Sequence, residues 1–393
     1  MLPLLEGVRV IEVGAVVLGP YAGQILADLG AEVIKVEPLE GDIARHAHPQ
    51  GPGGGALFVN NNRNKRMLAL DLKKPEGRAA LARLVESADV LFHNMRLDAS
   101  ERLGLGYEQV IAINPNIVHC AATGFGRGGQ YRDRPAFDDI IQAASGLAGL
   151  AALQSGTPAF APTIVADKVA ALHVVYGIVS ALYARERGRP GPFRVEVPMF
   201  EVMVAFLMNE HLSGATFVNN GVPGYPRLLS PDRRPFRTAD GWIAVLPYTE
   251  PQWRRFLAAI GRAEVCEEAW FKSPAERQAH IGDLYAIVAA SLEARGTDAW
   301  IEALEAIDIP CSRVSMPLEL LDDPHLKEIG FFDVPEGFPV ARMILQPVRF
   351  TGIPQNPDTP PHALGEDSRA VLLGCGYDDA AIDALVAAGV VAV

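Results

Sequence analysis

Val8-Arg9-Val10-Ile11-Glu12-Val13 opens the stretch that decides the fold. Gly14 and Gly19-Pro20 follow, then an apolar run over 21–29, then Gly30. Glu32-Val33-Ile34-Lys35-Val36-Glu37 closes the stretch. The two six-residue segments are rich in β-branched residues and alternate, which reads as two strands. The run between them reads as a helix that Gly30 ends. Strand, glycine-bearing turn, helix and strand form one βαβ unit, and its parallel strands need a right-handed crossover. Outward from this unit the pattern continues. Residues 65–72, 89–94 and 117–122 read as further strands, with a helix through 79–87. The class is α/β with a mostly parallel sheet.

Composition narrows what such a chain does. Its 393 residues are 49% hydrophobic, ample for a large core in two domains. A formal net charge of -12 without a basic stripe argues against nucleic acid as a partner. Cys120, Cys266, Cys311 and Cys375 lie far apart with no C-x-x-C pair. That fits reduced thiols and a cytoplasmic protein, with no disulfide framework or metal site expected. Residues 1–6 have no basic, apolar signal pattern, so no secretory leader is expected. The apolar run over 169–182 contains His173 and Tyr176-Gly177, and reads as too short and mixed for a membrane span.

Further along, 137–149 and 169–185 read as helices, 194–198 as a strand and 199–212 as an apolar helix. Residues 213–235 are rich in Gly, Pro, Asn and Arg and read as a linker. A strand over 241–246 and helices over 252–260, 275–295 and 297–306 make a smaller domain. Asp323-Pro324-His325-Leu326 returns the chain. The expected organisation is 1–212, linker 213–235, small domain 236–322, and a return over 323–393 that completes the large domain.

Several residues carry two readings. Asp167 stands where the 169–185 helix opens, and on spacing alone it reads as an N-cap. The alternative is a carboxylate nucleophile held by that helix end. Asp138 and Asp139 share the ambiguity. Glu37 ends the second strand, but no G-x-G-x-x-G precedes it, so a dinucleotide site is not expected and Glu37 reads as a solvated strand end. Asn94 ends a strand, where open α/β sheets place ligands. Lys73, Arg96 and Arg102 also follow strand ends and suit phosphate or carboxylate, against the reading of solvated charges. Arg227, Arg233, Arg234 and Arg237 read as a solvated linker or as readers of a substrate carboxylate. His46, His48, His93 and His173 have no metal spacing and read as ordinary histidines.

Longer motifs carry a family resemblance. They are residues 5–12, Gly19-Pro20, residues 29–38, Asn64-Lys65-Arg66, Leu70-Asp71-Leu72-Lys73 and Pro75-Glu76-Gly77. They continue with Asn94, residues 102–107, residues 137–146, Asp167 with Gly177, Ile309-Pro310-Cys311, residues 323–326, Gly330-Phe331-Phe332 and Leu364-Gly365-Glu366-Asp367. In this order and spacing the chain is similar to the family III CoA-transferases, also called the CaiB/BaiF family, over nearly its whole length. The resemblance implies a Rossmann-like large domain, a smaller α+β domain, and a homodimer of interlocked chains. It implies CoA and acyl-CoA as substrates with no tightly bound cofactor, and a small carboxylic acid as acceptor, a dicarboxylate being one case. The family's catalytic aspartate falls at Asp167. Its CoA contacts fall at Val17, Leu18, Leu70, Lys73, Asn94, Met95 and Arg102, with Phe137 beside the thioester. Formyl-CoA transferases have Gln at the place of Val17 and a basic residue at Pro38. They also carry a glycine run that is missing between Leu228 and Tyr248, which argues against formyl-CoA and oxalate. The racemase branch needs a His where Phe137 stands, and a phenyl ring cannot exchange a proton. A racemase or lyase on the same fold, and a CoA- or nucleotide-binding protein without catalysis, are the alternatives. Asp167 argues against the last.

Overall fold

The structure is a computed structural model and describes residues 1–218 and 221–393. Asn219 and Asn220, inside the expected linker 213–235, lie outside the described residues. The chain divides into two units: Met1–Leu147, Phe160–Leu207 and Ile329–Val393 form one, and Ala148–Ala159 with Met208–Glu328 the other.

In the first unit the chain runs β1 (Arg9–Val13), α1 (Leu18–Asp28), β2 (Glu32–Glu37), β3 (Lys65–Leu70), α2 (Pro75–Glu86), β4 (Val90–His93) and β5 (Val118–Thr123). There follow α3 (Asp138–Ala144), α4 (Val165–Glu186), β6 (Phe193–Pro198) and, at the C-terminus, β7 (Val391–Ala392). One seven-stranded sheet results, in the order β7-β3-β2-β1-β4-β5-β6. All neighbours pair in parallel except β7, which is antiparallel to β3. The inner strands β1 to β5 are buried and mostly apolar because both faces are covered, whereas edge strand β6 exposes Arg194 and Glu196. Ile11, Ile34, Leu68 and Leu91 share a core with Leu81, Leu84 and Val85 of α2. Elsewhere α1 packs against α4, where the small buried residues Ala166, Ala170 and Ala171 permit close approach. The strand order reverses direction between β1 and β4. In doubly wound sheets the ligand crevice lies there, beyond the carboxyl ends of the strands.

Three element boundaries differ from the sequence reading. The strand expected over 65–72 stops at Leu70, after which Asp71 turns the chain into α2. The helix expected over 137–149 is broken at Gly146, whose φ of 98° is a left-handed conformation, and a second helix runs Leu147–Ser155. Most consequentially, α4 begins at Val165, so Asp167 lies inside its first turn. The helix is also longer than the expected apolar run. At 22 residues it is long and apolar enough to cross a membrane by length and composition. It is nevertheless a core helix, with Ala170, Val174, Ile178 and Leu182 buried.

The second unit has its own core of Phe236, Ile243, Val245, Trp253, Phe256, Leu284 and Trp300. A three-stranded antiparallel sheet, Phe236–Arg237, Trp242–Val245 and Cys311–Arg313, is covered by helices Glu250–Ala259, Ile281–Leu292 and Thr297–Glu305. The helix expected over 275–295 is two helices that meet at His280. Part of the expected linker is ordered: Pro226–Leu229 is a short helix. Arg227 on it is buried, with its guanidinium 4.4 Å from the Tyr248 ring centre. It is therefore not the solvated charge expected of a linker arginine.

Candidate active site

The site is built on the loop between β1 and α1. Gly14 and Gly19 approach so closely that a Cβ on either would lie 3.0 Å from the other's Cα. Between them Val16 has a φ of 69°, a left-handed backbone that a β-branched residue adopts only under constraint. The constraints are named groups. Asn94, at the end of β4, accepts from the Ala15 N–H (3.0 Å) and donates to its carbonyl (2.9 Å). Asp42 accepts from the Val16 N–H at 3.1 Å. Lys35 donates to the Gly14 carbonyl (2.6 Å), and Lys65 to the Pro20 carbonyl (2.8 Å). Three of these side chains, Asp42, Lys35 and Lys65, are held by one another and by Glu12. Lys35 pairs with Asp42 (2.9 Å) and Glu12 (3.1 Å), and Lys65 pairs with Glu12 (2.8 Å). Buried charges of this kind survive only when paired and hydrogen-bonded, as here. Beside them Glu37 is 1% exposed and forms a two-pronged pair with Arg45. This corrects its reading as a solvated strand end.

Asp167 faces this loop. The backbone N–H of Leu18, the first residue of α1, lies close enough to the Asp167 carboxylate to favour its charged form. The first turn of α1 contains no acidic residue of its own, so Asp167 supplies the anion its N-terminus favours. Asp167 does not cap its own helix. Asp138, the first residue of α3, does so: its Oδ1 accepts from the Ala166 N–H (2.7 Å) and the Asp167 N–H (3.2 Å). Gln142 holds Asp138 in turn, donating to its Oδ2 at 2.5 Å, and accepts from the Ala161 N–H at 2.8 Å. The expected N-cap role of Asp167 thus belongs to Asp138, and the Asp167 side chain is left for other work. Burial, and then the neighbouring Asp138 charge, push the Asp167 carboxyl up to about 6, against the Leu18 N–H that lowers it. A group in this state is a carboxylate at neutral pH but a more basic one than a surface aspartate.

The remaining sequence candidates separate into groups. Leu70, Lys73 and Met95 line one cavity of about 400 Å³ beyond the ends of β1, β2 and β3, with Val13, Val36 and Leu103 as its apolar wall. The Lys73 side chain is exposed and has no ion-pair partner among the described residues. Val17 and Leu18 lie at the start of α1, next to Asp167. The Asn94 amide is engaged by Ala15 and acts as a brace of the loop. Arg102 is exposed and paired with Asp98 at 2.9 Å, outside the cavity lining. Phe137 immediately precedes α3 and is 75% exposed. His93 is buried and accepts from the Met95 N–H, and burial holds it down to about 3, so it stays neutral. Sequence reasoning missed Lys35, Asp42 and Lys65 as site builders. A lysine inside an apolar β-strand was the available signal, because such a charge needs a buried partner.

Comparison with known proteins gives the family. The family model described as CoA-transferase family III matches residues 5–368. The chain belongs to that family, and it is a CoA-transferase. It is 30% identical over 388 residues to the succinate–glutarate CoA-transferase of Agrobacterium fabrum, covering 94% of this chain and 95% of that one. A probable fatty acyl-CoA transferase of Mycobacterium tuberculosis is 28% identical over 383 residues, covering 94% and 97%. A CaiB/BaiF family crystal structure from Brucella suis superposes with a TM-score of 0.81 at 28% identity, covering 95% of this chain and all of that one.

Proposed function

We propose that the enzyme moves CoA from an acyl-CoA to a free carboxylic acid through covalent intermediates on Asp167. One observation carries the reading. Asp167 is a half-buried carboxyl whose pKa is pushed up to about 6, relieved of the capping duty by Asp138 and set beside the N–H of Leu18. Asp167 attacks the thioester carbonyl, the C–S bond breaks, and a mixed anhydride and CoA thiolate result. The thiolate attacks the Asp167 acyl carbon, which releases the donor acid and leaves an aspartyl-CoA thioester. The acceptor carboxylate attacks that thioester, and thiolate attack on the acceptor's carbonyl then gives the new acyl-CoA and free Asp167. No net proton is taken up, and the covalent route divides one hard exchange into easier ones. The Leu18 N–H is positioned to hold charge on the reacting aspartyl oxygen. The cavity of Leu70 and Met95 suits the adenine end of CoA, and the Lys73 cation suits its phosphates. Two copies of the chain interlock as a homodimer in this reading, and the unpaired cysteines suit a cytoplasmic setting.

Relatives named for succinate, glutarate and fatty acyl groups set the range of acids to screen. The test is intact-mass analysis after mixing enzyme with an acyl-CoA. Hydroxylamine is expected to trap an adduct that maps to Asp167 and is absent from Asp167→Ala. An adduct on another residue, or full turnover by Asp167→Ala, overturns the reading.

A further inference from the structure

A groove of about 660 Å³ runs between α1 and α4, closed on its third side by the segment 344–350. Its walls include Tyr21 and Ile25 of α1, Leu57, Leu172 and Val175 of α4, and Phe350. Several of the polar groups in its lining already have partners, while the Tyr21 hydroxyl and the Asn60 amide are open. Gln24 donates to the Asn60 carbonyl (3.1 Å) and accepts from the Arg63 N–H (3.2 Å). Asn61 donates to the Leu57 carbonyl at 2.8 Å, and Arg63 is paired with Asp28 and bonded to the Ile344 carbonyl at 2.6 Å. At the rim the Lys168 ammonium donates to the Thr163 hydroxyl at 2.6 Å. The surface offered to an occupant is therefore mostly apolar, with Tyr21, Asn60 and Lys168 as its polar points.

One end of the groove is lined by residues that neighbour Asp167. Val17 borders it and directly precedes Leu18, whose N–H lies beside Asp167. Ile164 and Lys168 border it from α4, on either side of Asp167 in sequence. We propose that this groove receives the acyl chain of the CoA thioester, and that the chain is aliphatic and of medium length. The inference rests on the transferase reading above. From Ile164 to Val175 the helix rises roughly 16 Å. A zigzag carbon chain advances less than its ~1.5 Å bond length per carbon, so the groove takes on the order of ten carbons. A chain lying there keeps its thioester at the Val17 end, next to Asp167, and its methyl end toward Val175.

Purified full-length enzyme is assayed with acetyl-, hexanoyl-, decanoyl- and succinyl-CoA against one acceptor acid. Leu172→Trp and Val348→Trp, which fill the groove from two separate segments, are assayed beside it, with native mass measured for each. The expected result is a kcat/KM that rises about threefold to fourfold per methylene from acetyl to decanoyl. Both variants then lower the decanoyl-to-acetyl ratio by about tenfold or more. A flat series, a preference for succinyl-CoA, or a ratio unchanged in both variants overturns the inference and leaves the transferase reading standing. So does an equal loss with every thioester accompanied by a change in native mass, since the groove is then covered by a second copy of the chain. Absence of turnover with every thioester, together with absence of an Asp167 adduct, overturns the transferase reading and this inference with it.

Discussion

Asp167 and Asp138 divide between them two roles that a helix start offers to acids. Sequence spacing alone favoured the cap for Asp167, since Asp at a helix opening is a common cap. The true cap comes from Asp138, 29 residues earlier, and no local pattern could disclose it. The consequence is titratable. The Asp167 carboxyl sits near 6 in the folded protein and near the ordinary 3.8 when unfolded. Because the nucleophile must be ionised, kcat/KM is expected to rise with pH through about 6 and level off above it. A stopped assay across pH 4.5–8 checks this, and a flat profile through 6 removes Asp167 as the titrating nucleophile. Between the two values the folded state binds the extra proton, so stability falls as pH rises through that window. Above it, ionised Asp167 destabilises the fold by on the order of 2–3 kcal/mol. Asp167→Asn is accordingly expected to be inactive, yet to melt several degrees higher than the parent at pH 8, with the gain gone below pH 4. Equal melting temperatures at pH 8 contradict the shift. Asp138→Asn keeps an acceptor for the Ala166 N–H while removing the charge, so the acid limb of the profile is expected to move down by about half a unit to one unit. An unchanged limb would mean burial alone raises Asp167.

The loop from Gly14 to Leu18 is the element that aims this chemistry in the reading proposed above. Its strand-turn-helix outline was legible from alternation, the two glycines and the apolar run, because those are local properties. What holds it was not. Lys35, Asp42, Lys65 and Glu12 meet from β2, the following turn, β3 and β1, and sequence distance hides such partners. Asn94 was placed correctly at a strand end, but its amide serves the loop backbone, which spacing cannot tell from ligand contact. Leu70, Lys73 and Met95 do gather in one cavity, since each follows a strand end of the same sheet. The left-handed Val16 gives this element a test. Val16→Gly removes backbone strain of about 1–3 kcal/mol while adding unfolded-state freedom of about 1 kcal/mol. Its melting temperature is expected to hold or rise, while kcat falls about tenfold as the Leu18 N–H loses its fixed aim. A drop of several degrees in melting temperature would show instead that the Val16 side chain is needed for packing. Asp42→Ala differs in kind: it leaves buried Lys35 short of a counter-charge and is expected to cost about 3–5 kcal/mol in chemical denaturation.

At the scale of the whole molecule, the parallel sheet was readable because β-period patterning recurs along the chain. The helix breaks at Gly146 in the first unit and at His280 in the second were not, since the apolar pattern runs through both positions. Surface chemistry says more about assembly than pattern does. Tyr176 and Tyr183 on the outer face of α4 are 60% and 66% exposed, and Phe137 and Phe206 stand out similarly from the same unit at 75% and 54%. Large apolar side chains left on a surface in this number mark a buried interface. The homodimer proposed above would cover them. Interlocking makes a sharper demand than dimerisation, because linked rings cannot separate while folded. Light scattering should therefore give twice the 42.2 kDa chain mass at every concentration from micromolar down to nanomolar. Tagged and untagged dimers, mixed under native conditions for days, should yield no mixed species by affinity capture. The same mixture unfolded and refolded together should yield mixed dimers at the statistical proportion. Exchange within hours in native buffer would mean an ordinary two-fold interface, and a folded monomer on dilution would remove the dimer itself.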